Sequence, residues 1–377
     1  MTSFRPDPSE LEIRDFSRYK LIVDARSPRE YADDHLPGAT NLPVLDNEQY
    51  AEVGIAHKDD KHRAYIVGVA HSLRNMADAI ESTISQVPRN APVLVYCFRG
   101  GKRSRLWADA LRTIGFAPDV VRGGWKNYRR WVIASLASLP QQLRYKVLCG
   151  PTGCGKTRLL EALREAGEQV LDLEGLARHR GSVIGAIPGV AQPTQKLFDS
   201  LLLEQLRHFD PARPVWVEAE SKKIGDLQLP TALYEAMHTS ACYLIEAPMT
   251  ERVRLWREDY RHFEDDPEAL LVKLGYLVPL VGHDEYHLWK QLVAEGQVPA
   301  LFERLMLKHY DPAYQRALVR NYPRLDTAQI LSLPDLSPAA LREVARALAA
   351  QDALADAAQP SPPAALQVSG AESTSQA

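Results

Sequence analysis

The eight residues from Gly150 to Thr157, Gly-Pro-Thr-Gly-Cys-Gly-Lys-Thr, restrict the fold of this chain more than any other stretch. They form a Walker A pattern. Its glycines free successive N–H groups to wrap phosphate oxygens, Lys156 neutralises them, and the Thr157 hydroxyl can hold Mg²⁺. Such a loop needs a strand to deliver it and a helix to leave it. Arg144 to Cys149 reads as the strand before it, and Leu159, Leu160 and Leu163 continue at helical spacing after it. Gly150, Gly153, Gly155, Lys156 and Thr157 are therefore the expected phosphate-binding residues, and Cys154 reads as a small filler. Hydrolysis would also want an acid at a strand end. Glu218, closing Val215-Trp216-Val217-Glu218, is the best candidate, with Glu220 two residues on and Glu174 as another. No cysteine or histidine spacing marks a metal site.

A second loop of this kind lies upstream. Pro92 to Tyr96 is an apolar run that delivers Cys97 into Phe98-Arg99-Gly100-Gly101-Lys102-Arg103-Ser104, and a helical pattern begins at Ser104. Gly100 and Gly101 let N–H groups curl inward as an anion-binding nest, and the helix N-terminus adds partial positive charge. Both effects, with the cations Arg99, Lys102 and Arg103, stabilise a thiolate. Cys97 is thus the expected nucleophile or carrier of a transferable atom.

Around these loops, strands alternate with helices, which implies an α/β fold with mainly parallel sheets. Lys20 to Asp24 reads as a buried strand, and Ser27-Pro28-Arg29-Glu30 is a capping box that starts a helix. Leu106, Trp107, Ala110, Leu111 and Ile114 keep a helical spacing that Gly115 ends. Val120 to Arg122 is a short strand stopped by Gly123-Gly124, and Trp125 begins another helix. Asn47 to Leu73 mixes helical patterning with Gly54 and Gly68 and fits no single element. Ala241 to Ile245 is a further strand with Cys242 in the core. Arg178 to Ser182 is dense in donors that suit phosphates. From Glu251 onward the pattern is helical, and Trp256, Tyr260, Phe263, Tyr286 and Trp289 read as core, not as a platform for bases. Thr250 to Arg261 carries enough cations to read as exposed. The expected domains span residues 14–137 and 143–345, the second ending in helices, with a disordered Ala/Pro/Ser/Gln-rich tail over 351–377.

Length and composition agree. At 377 residues and 45% hydrophobic, the chain can bury two cores. No run approaches the roughly 20 apolar residues of a membrane span, and Met1 to Asp15 is unlike a targeting peptide. The four cysteines, Cys97, Cys149, Cys154 and Cys242, lack paired spacing, which fits a reducing cytoplasm. A net charge of −3 does not announce a nucleic-acid binder. The average conceals a bias, since Val93 to Arg158 holds thirteen Lys and Arg against two acids. Such a patch can hold a polyanion, with Arg122, Lys126, Arg129 and Arg130 as the expected contacts. A monomer is the default expectation.

Asp24-Ala25-Arg26, Glu30, His35 to Asn41, the Cys97 loop and Gly123-Gly124-Trp125 together resemble a rhodanese domain. The resemblance implies a loop cysteine that carries a persulfide held by backbone amides. One departure matters. Five residues separate Cys97 from Arg103, where many single-domain rhodaneses have four and cysteine phosphatases have five. The wider cradle suits a tetrahedral phosphate, so a phosphatase and an atom-transfer enzyme with a phosphate-bearing donor both stay open.

A rhodanese-like domain joined directly to a P-loop domain resembles the tRNA 2-selenouridine synthase family. So do Asn47 to Gly54, Asp172 to Ser182, Glu218 to Gly225 and His309 to Tyr314. The resemblance implies a transferase that acts on 2-thiouridine at the tRNA wobble position. It implies S-geranylation from geranyl diphosphate, then selenation from selenophosphate with Cys97 carrying selenium. It places Gly68 where the family has a glycine important for selenation, beside the donor loop. It implies no bound cofactor, with Mg²⁺ possible at the P-loop. A rhodanese-type sulfur carrier coupled to a P-loop ATPase is the alternative reading.

Overall fold

The computed structural model describes residues 11–323 and 325–357. The expectations for Met1 to Glu10 and for the tail beyond 357 lie outside the described residues.

The first sheet holds β1 (Leu21–Asp24), β2 (Ala39–Asn41), β3 (Val93–Tyr96) and β4 (Asp119–Val120), all parallel, in the order β2-β1-β3-β4. β1 and β3 are wholly buried, as apolar runs covered on both faces must be. Helix α1 (Pro28–Asp33) starts at the expected capping box. The Ser27 side chain accepts from the Glu30 N–H, and the Glu30 carboxylate accepts from the Ser27 N–H at 3.1 Å. The segment that fits no single element is two helices, α2 (Asn47–Asp59) and α3 (Lys61–Ser82). Between them Asp60 caps the second helix by accepting from the N–H groups of His62 and Arg63. Gly68 lies where these helices cross, and a Cβ there would stand 3.4 Å from Val53.

Helix α4 (Lys102–Ile114) begins two residues earlier than the sequence pattern suggests and ends at Gly115 with φ +105°. After α5 (Gly124–Leu136) a short turn at Leu139–Gln142 leads into the second sheet. It comprises β5 (Tyr145–Cys149), β6 (Gln169–Leu171), β7 (Val215–Glu218), β8 (Ala241–Glu246) and β9 (Gln329–Ser332). These strands are parallel in the order β9-β8-β5-β7-β6, so the strand that feeds the Walker A loop is central. Helix α6 (Lys156–Glu165) leaves that loop, and Cys242 is buried as expected.

The two sheets are not independent bodies joined by a tether. Helix α7 (Gln195–Leu206) packs on α5, and one apolar cluster runs from Ile22, Leu94 and Trp131 through to Val147, Phe198 and Leu202. Polar contacts fix the seam. Arg129 pairs with Asp199, and Lys196 Nζ lies 2.6 Å from Asp33. Arg129 is therefore a seam residue, which removes it from the expected phosphate contacts. Arg122 pairs with Glu12 at 3.0 Å, whereas Lys126 and Arg130 stay exposed.

The aromatic residues of the helical segment form a core, as their spacing predicts. Trp256, Tyr260, Phe263 and Trp289 pack with Phe302 and Tyr310, and Tyr286 packs partly buried against them. The cation-rich stretch around α8 (Met249–Asp259) is less exposed than its composition suggests, because Arg252, Leu255 and Trp256 are buried. No helix among the described residues is long and apolar enough to cross a membrane.

The tail expected from residue 351 does not start there. Helix α9 (Pro338–Ala357) continues through that point. Its buried Asp352 pairs with Lys146 and accepts from Trp216 Nε1 at 3.3 Å, tying the helix to the central strands. An Ala/Gln-rich composition hides this because one acid, not an apolar face, anchors the last turns. Asp352→Ala leaves a half-buried ammonium and a buried indole N–H without this acceptor. It should destabilise the fold by about 2–4 kcal/mol, read as a lowered thermal unfolding midpoint.

Candidate active site in two anion-binding loops

Both loops sit at the carboxyl ends of strands, where parallel sheets present ligands. The first follows β3. Asp24, at the end of β1, pairs with Arg26 at 2.6 Å with both side chains buried, and accepts from Tyr96 Oη at 2.6 Å. This network fixes the strand ends below the loop. The Trp125 N–H donates to the Cys97 carbonyl at 2.8 Å, and the Lys126 N–H donates to that of Phe98 at 3.0 Å. The approach is so close that a Cβ on Gly124 would fall 2.1 Å from the Cys97 oxygen, which explains glycine there.

Cys97 is 3% exposed, and its sulfur lies 3.2 Å from the Gly101 N–H and 3.3 Å from Ser104 Oγ. Burial alone would raise its pKa. The Ser104 hydroxyl and the N–H groups of Gly101, Ser104 and Arg99 outweigh that and hold the thiol below its ordinary value. Gly100 adopts φ +68°, as the inward-curling loop requires. Arg103 does not point into the nest alone, because Glu30 holds it at 2.6 Å. Arg99 and Lys102 remain exposed at the rim. Gly68 is not part of the loop. It lies in α3 against Val53, three residues from Tyr65, whose ring lies 4.0 Å from Lys102 Nζ.

The second loop follows β5. Gly150, Gly153 and Gly155 all have positive φ, and a Cβ on Gly150 would meet the Cys154 sulfur at 2.6 Å. Cys154 is fully buried beneath the loop, as a filler should be. Lys156 Nζ folds back to the Gly150 carbonyl at 2.8 Å, and the Gly150 N–H donates to Tyr314 Oη at 2.8 Å. Arg252 braces the outer side, donating to the Thr152 carbonyl at 2.9 Å while its fork holds Asp311 at 2.6 and 2.9 Å. The sequence does not signal Arg252, because its partners lie 100 and 59 residues away.

Thr157 Oγ1 lies 3.2 Å from Glu218 and 3.4 Å from Glu174. Glu174, Glu218 and Glu220 bring carboxylate oxygens within 4.8 Å of one another. Glu218 Oε1 is buried and has no hydrogen-bond partner among the described residues. Burial, reinforced by Glu220 and Asp172, pushes Glu218 up to about 8 against the pull of Lys156. Desolvation lifts Glu220 to about 7. Burial and its two acidic neighbours likewise raise Glu174 well above the usual carboxylate range. A set of hard oxygen donors with an unsatisfied member fits Mg²⁺.

The loop opens into a cavity of about 410 Å³. Its floor is Gly153 to Arg158 and the acidic trio. One wall carries Trp256, Tyr260, Tyr310, Ala313, Ala317 and Leu318, and another carries Arg180 and Ser182. Arg180 and Ser182 line the same cavity as the phosphate loop, and the Arg180 guanidinium lies 5.0 Å above the Tyr260 ring and donates to the Asp259 carbonyl. Arg178 turns away at a helix end with φ +51°.

Comparison with known proteins places this geometry. The family described as the rhodanese-like domain matches residues 9–130, and the tRNA 2-selenouridine synthase AAA domain matches 143–268. A tRNA 2-selenouridine synthase of Marinobacter nauticus is 31% identical over 84% of this chain and 93% of its own length. The chain belongs to the tRNA 2-selenouridine synthase family. Members from Nitrosomonas europaea and Nitrosomonas eutropha are each 35% identical, over 63% and 62% of this chain. Those alignments span 63% and 61% of the two relatives, so the chain matches somewhat under two thirds of their lengths. The two-domain order read from the motifs is thus that of the synthase family.

The nest makes Cys97 chemically distinct from the other thiols. Burial raises Cys154, and the neighbouring Cys242 with burial raises Cys149. Iodoacetamide should therefore label Cys97 first. Because its pKa is depressed, labelling should persist as pH falls below the ordinary thiol range. Ser104→Ala should move the midpoint of labelling rate against pH upward, and an unmoved midpoint would remove Ser104 from thiolate stabilisation.

Proposed function

We propose that this protein modifies the wobble uridine of tRNA, exchanging the sulfur of 2-thiouridine for selenium in two steps at two loops. The activity for which its relatives are named supplies the tRNA and the selenouridine product. One observation carries the division of labour: the phosphate loop opens into a cavity with an apolar wall built by Trp256, Tyr260, Tyr310 and Leu318. A nucleotide would present a ribose and a polar base edge to those side chains. A diphosphate carrying a hydrocarbon chain matches both surfaces, and geranyl diphosphate is such a molecule.

In the first step the sulfur at C2 attacks C1 of the geranyl group. The C–O bond breaks, diphosphate departs with the electron pair, and the N3 proton of the base is lost to solvent. The loop N–H groups, Lys156 and Arg180 are placed to stabilise that charge. Thr157, Glu174, Glu218 and Glu220 would hold Mg²⁺ there, and a bound ion would supply further neutralisation of the diphosphate. Alkylation turns a carbonyl-like sulfur into a thioether that can leave. In the second step the five-residue Cys97 loop receives selenophosphate, and selenium replaces the S-geranyl group at C2 as geranylthiol departs. Arg99 and Lys102 offer cations for the donor's phosphate. The Cys97 thiolate attacks phosphorus, the P–Se bond breaks with its electron pair on selenium, the freed hydrogen selenide attacks C2, and water then cleaves the S–P bond to release phosphate and return the thiol. A tRNA substrate puts the protein in the cytoplasm.

Nucleoside mass spectrometry on tRNA incubated with geranyl diphosphate and selenophosphate tests this. Cys97→Ser should accumulate the S-geranyl nucleoside and yield no selenouridine. Lys156→Ala should slow geranylation by about a hundredfold while still selenating tRNA that already carries the geranyl group. Geranylation unaffected by Lys156→Ala, or tRNA-independent ATP turnover, would overturn the assignment of the P-loop.

A further inference from the structure

The hairpin of α2 and α3 carries an apolar surface that the core does not use. On α3, Ile66 is 58% exposed, Val69 51%, Leu73 55% and Tyr65 50%. At 100° per residue these four fall within a single stripe, beside the face that packs on α2 through Gly68 and Ser72. Isolated exposed apolar residues need no explanation, whereas a continuous stripe does.

The stripe starts at the selenium loop. Tyr65, at one end, lies 4.0 Å from Lys102 Nζ, and Tyr50 on α2 lies 5.6 Å from the Arg103 guanidinium. The two rings thus flank the first residues of α4, into which the Cys97 loop runs. Around them Arg99, Lys102 and Arg105 are exposed, and none makes an ion pair among the described residues. Free cations and half-exposed aromatic rings suit the phosphates and bases of single-stranded RNA. Aliphatic side chains running away from them do not. A ligand that matches the whole surface has an RNA strand and a hydrocarbon arm on the same nucleotide.

We propose that the α3 stripe binds the prenyl chain of the S-alkylated wobble nucleotide while its C2 faces Cys97. This rests on the two-step reading above and deepens it, by giving the second step its own site for the alkyl group. From Tyr65 to Leu73 the stripe is about 12 Å long, by helical rise, comparable to an extended ten-carbon isoprenoid. Seating the chain here orients the scissile C–S bond toward the nest. It also explains how the loop distinguishes an activated base from an unmodified one, since an unalkylated 2-thiouridine leaves the stripe uncovered.

The test uses the full chain and synthetic anticodon stem-loops bearing 2-thiouridine or its S-geranyl derivative, compared by fluorescence anisotropy. The wild type should prefer the geranylated RNA by about tenfold or more. Ile66→Glu with Val69→Glu should abolish the preference while binding of the thio RNA changes less than twofold. Ile133→Glu, on the exposed face of α5, should keep it. Selenation of geranylated RNA should show a raised KM in the double variant. An unchanged preference in the double variant overturns the proposal. So does a concentration-dependent dimer of the wild type that the double substitution dissolves, which would make a second copy the occupant. If the wild type produces no geranylated nucleoside, the function proposed above fails, and the binding comparison on synthetic RNA still decides this one.

Discussion

The structure depends on backbone N–H groups left without partners where a parallel strand gives way to a helix. A strand's last residues and a helix's first turn cannot bond each other, so the turn between them concentrates donors in one direction. This chain makes that turn twice and fills it differently each time. After β3 the nest closes on the protein's own sulfur, with the Gly101 N–H 3.2 Å from Cys97 Sγ. After β5 the loop carries no anion of its own, and Lys156 bends back onto the Gly150 carbonyl. One loop therefore stabilises a resident thiolate, and the other is shaped for an anion that comes and goes.

Because one apolar cluster runs through both sheets, the two loops are fixed to a single frame. Arg129 illustrates what that frame takes from the surface. Its composition-level role is a cation for RNA, yet its guanidinium is committed to Asp199 across the seam. A rigid frame with two separate loops means that a tRNA base served by both must move between them, not the reverse. A surface that recognises the product of one loop beside the other would make such a transfer directional.

Much of this was legible in the residues. The Walker A loop, the cysteine nest and the Ser27 capping box declare themselves because each is a local rule, with glycine or a cap at fixed spacing from the group it serves. The helical aromatic residues could be assigned to a core for the same reason. What the sequence hid is long-range or counter-periodic. Arg252 and Asp311 find each other across 59 residues, and Asp352 reaches Lys146 across 206. The α2–α3 hairpin resisted assignment because its apolar residues serve two directions. Val53 faces the Gly68 crossing while Ile66 and Val69 face solvent, so no single periodic face stands out. The start of α4 at Lys102 is hidden because glycines and cations carry no helical periodicity, although the anion nest itself demands a helix there.

The charge balance of the second loop sharpens its chemistry. Among the described residues Lys156 is the one ammonium that faces Glu174, Glu218 and Glu220, and it cannot neutralise three carboxylates. The protein alone resolves this by raising those carboxyl groups toward or above neutrality, so that some keep their protons. A diphosphate brought to the same loop adds more negative charge to a site already short of cations. It can bind only if the acids stay protonated or a divalent cation joins them, because two ionised sets of oxygens at this separation repel in a partly dry cavity. The unpartnered Glu218 oxygen suits the second solution, since a cation held by the trio would give that buried atom a partner. An acidic trio beside a phosphate loop is thus not a contradiction. It is the part of the site that makes the loop's affinity for phosphate conditional on what else is bound.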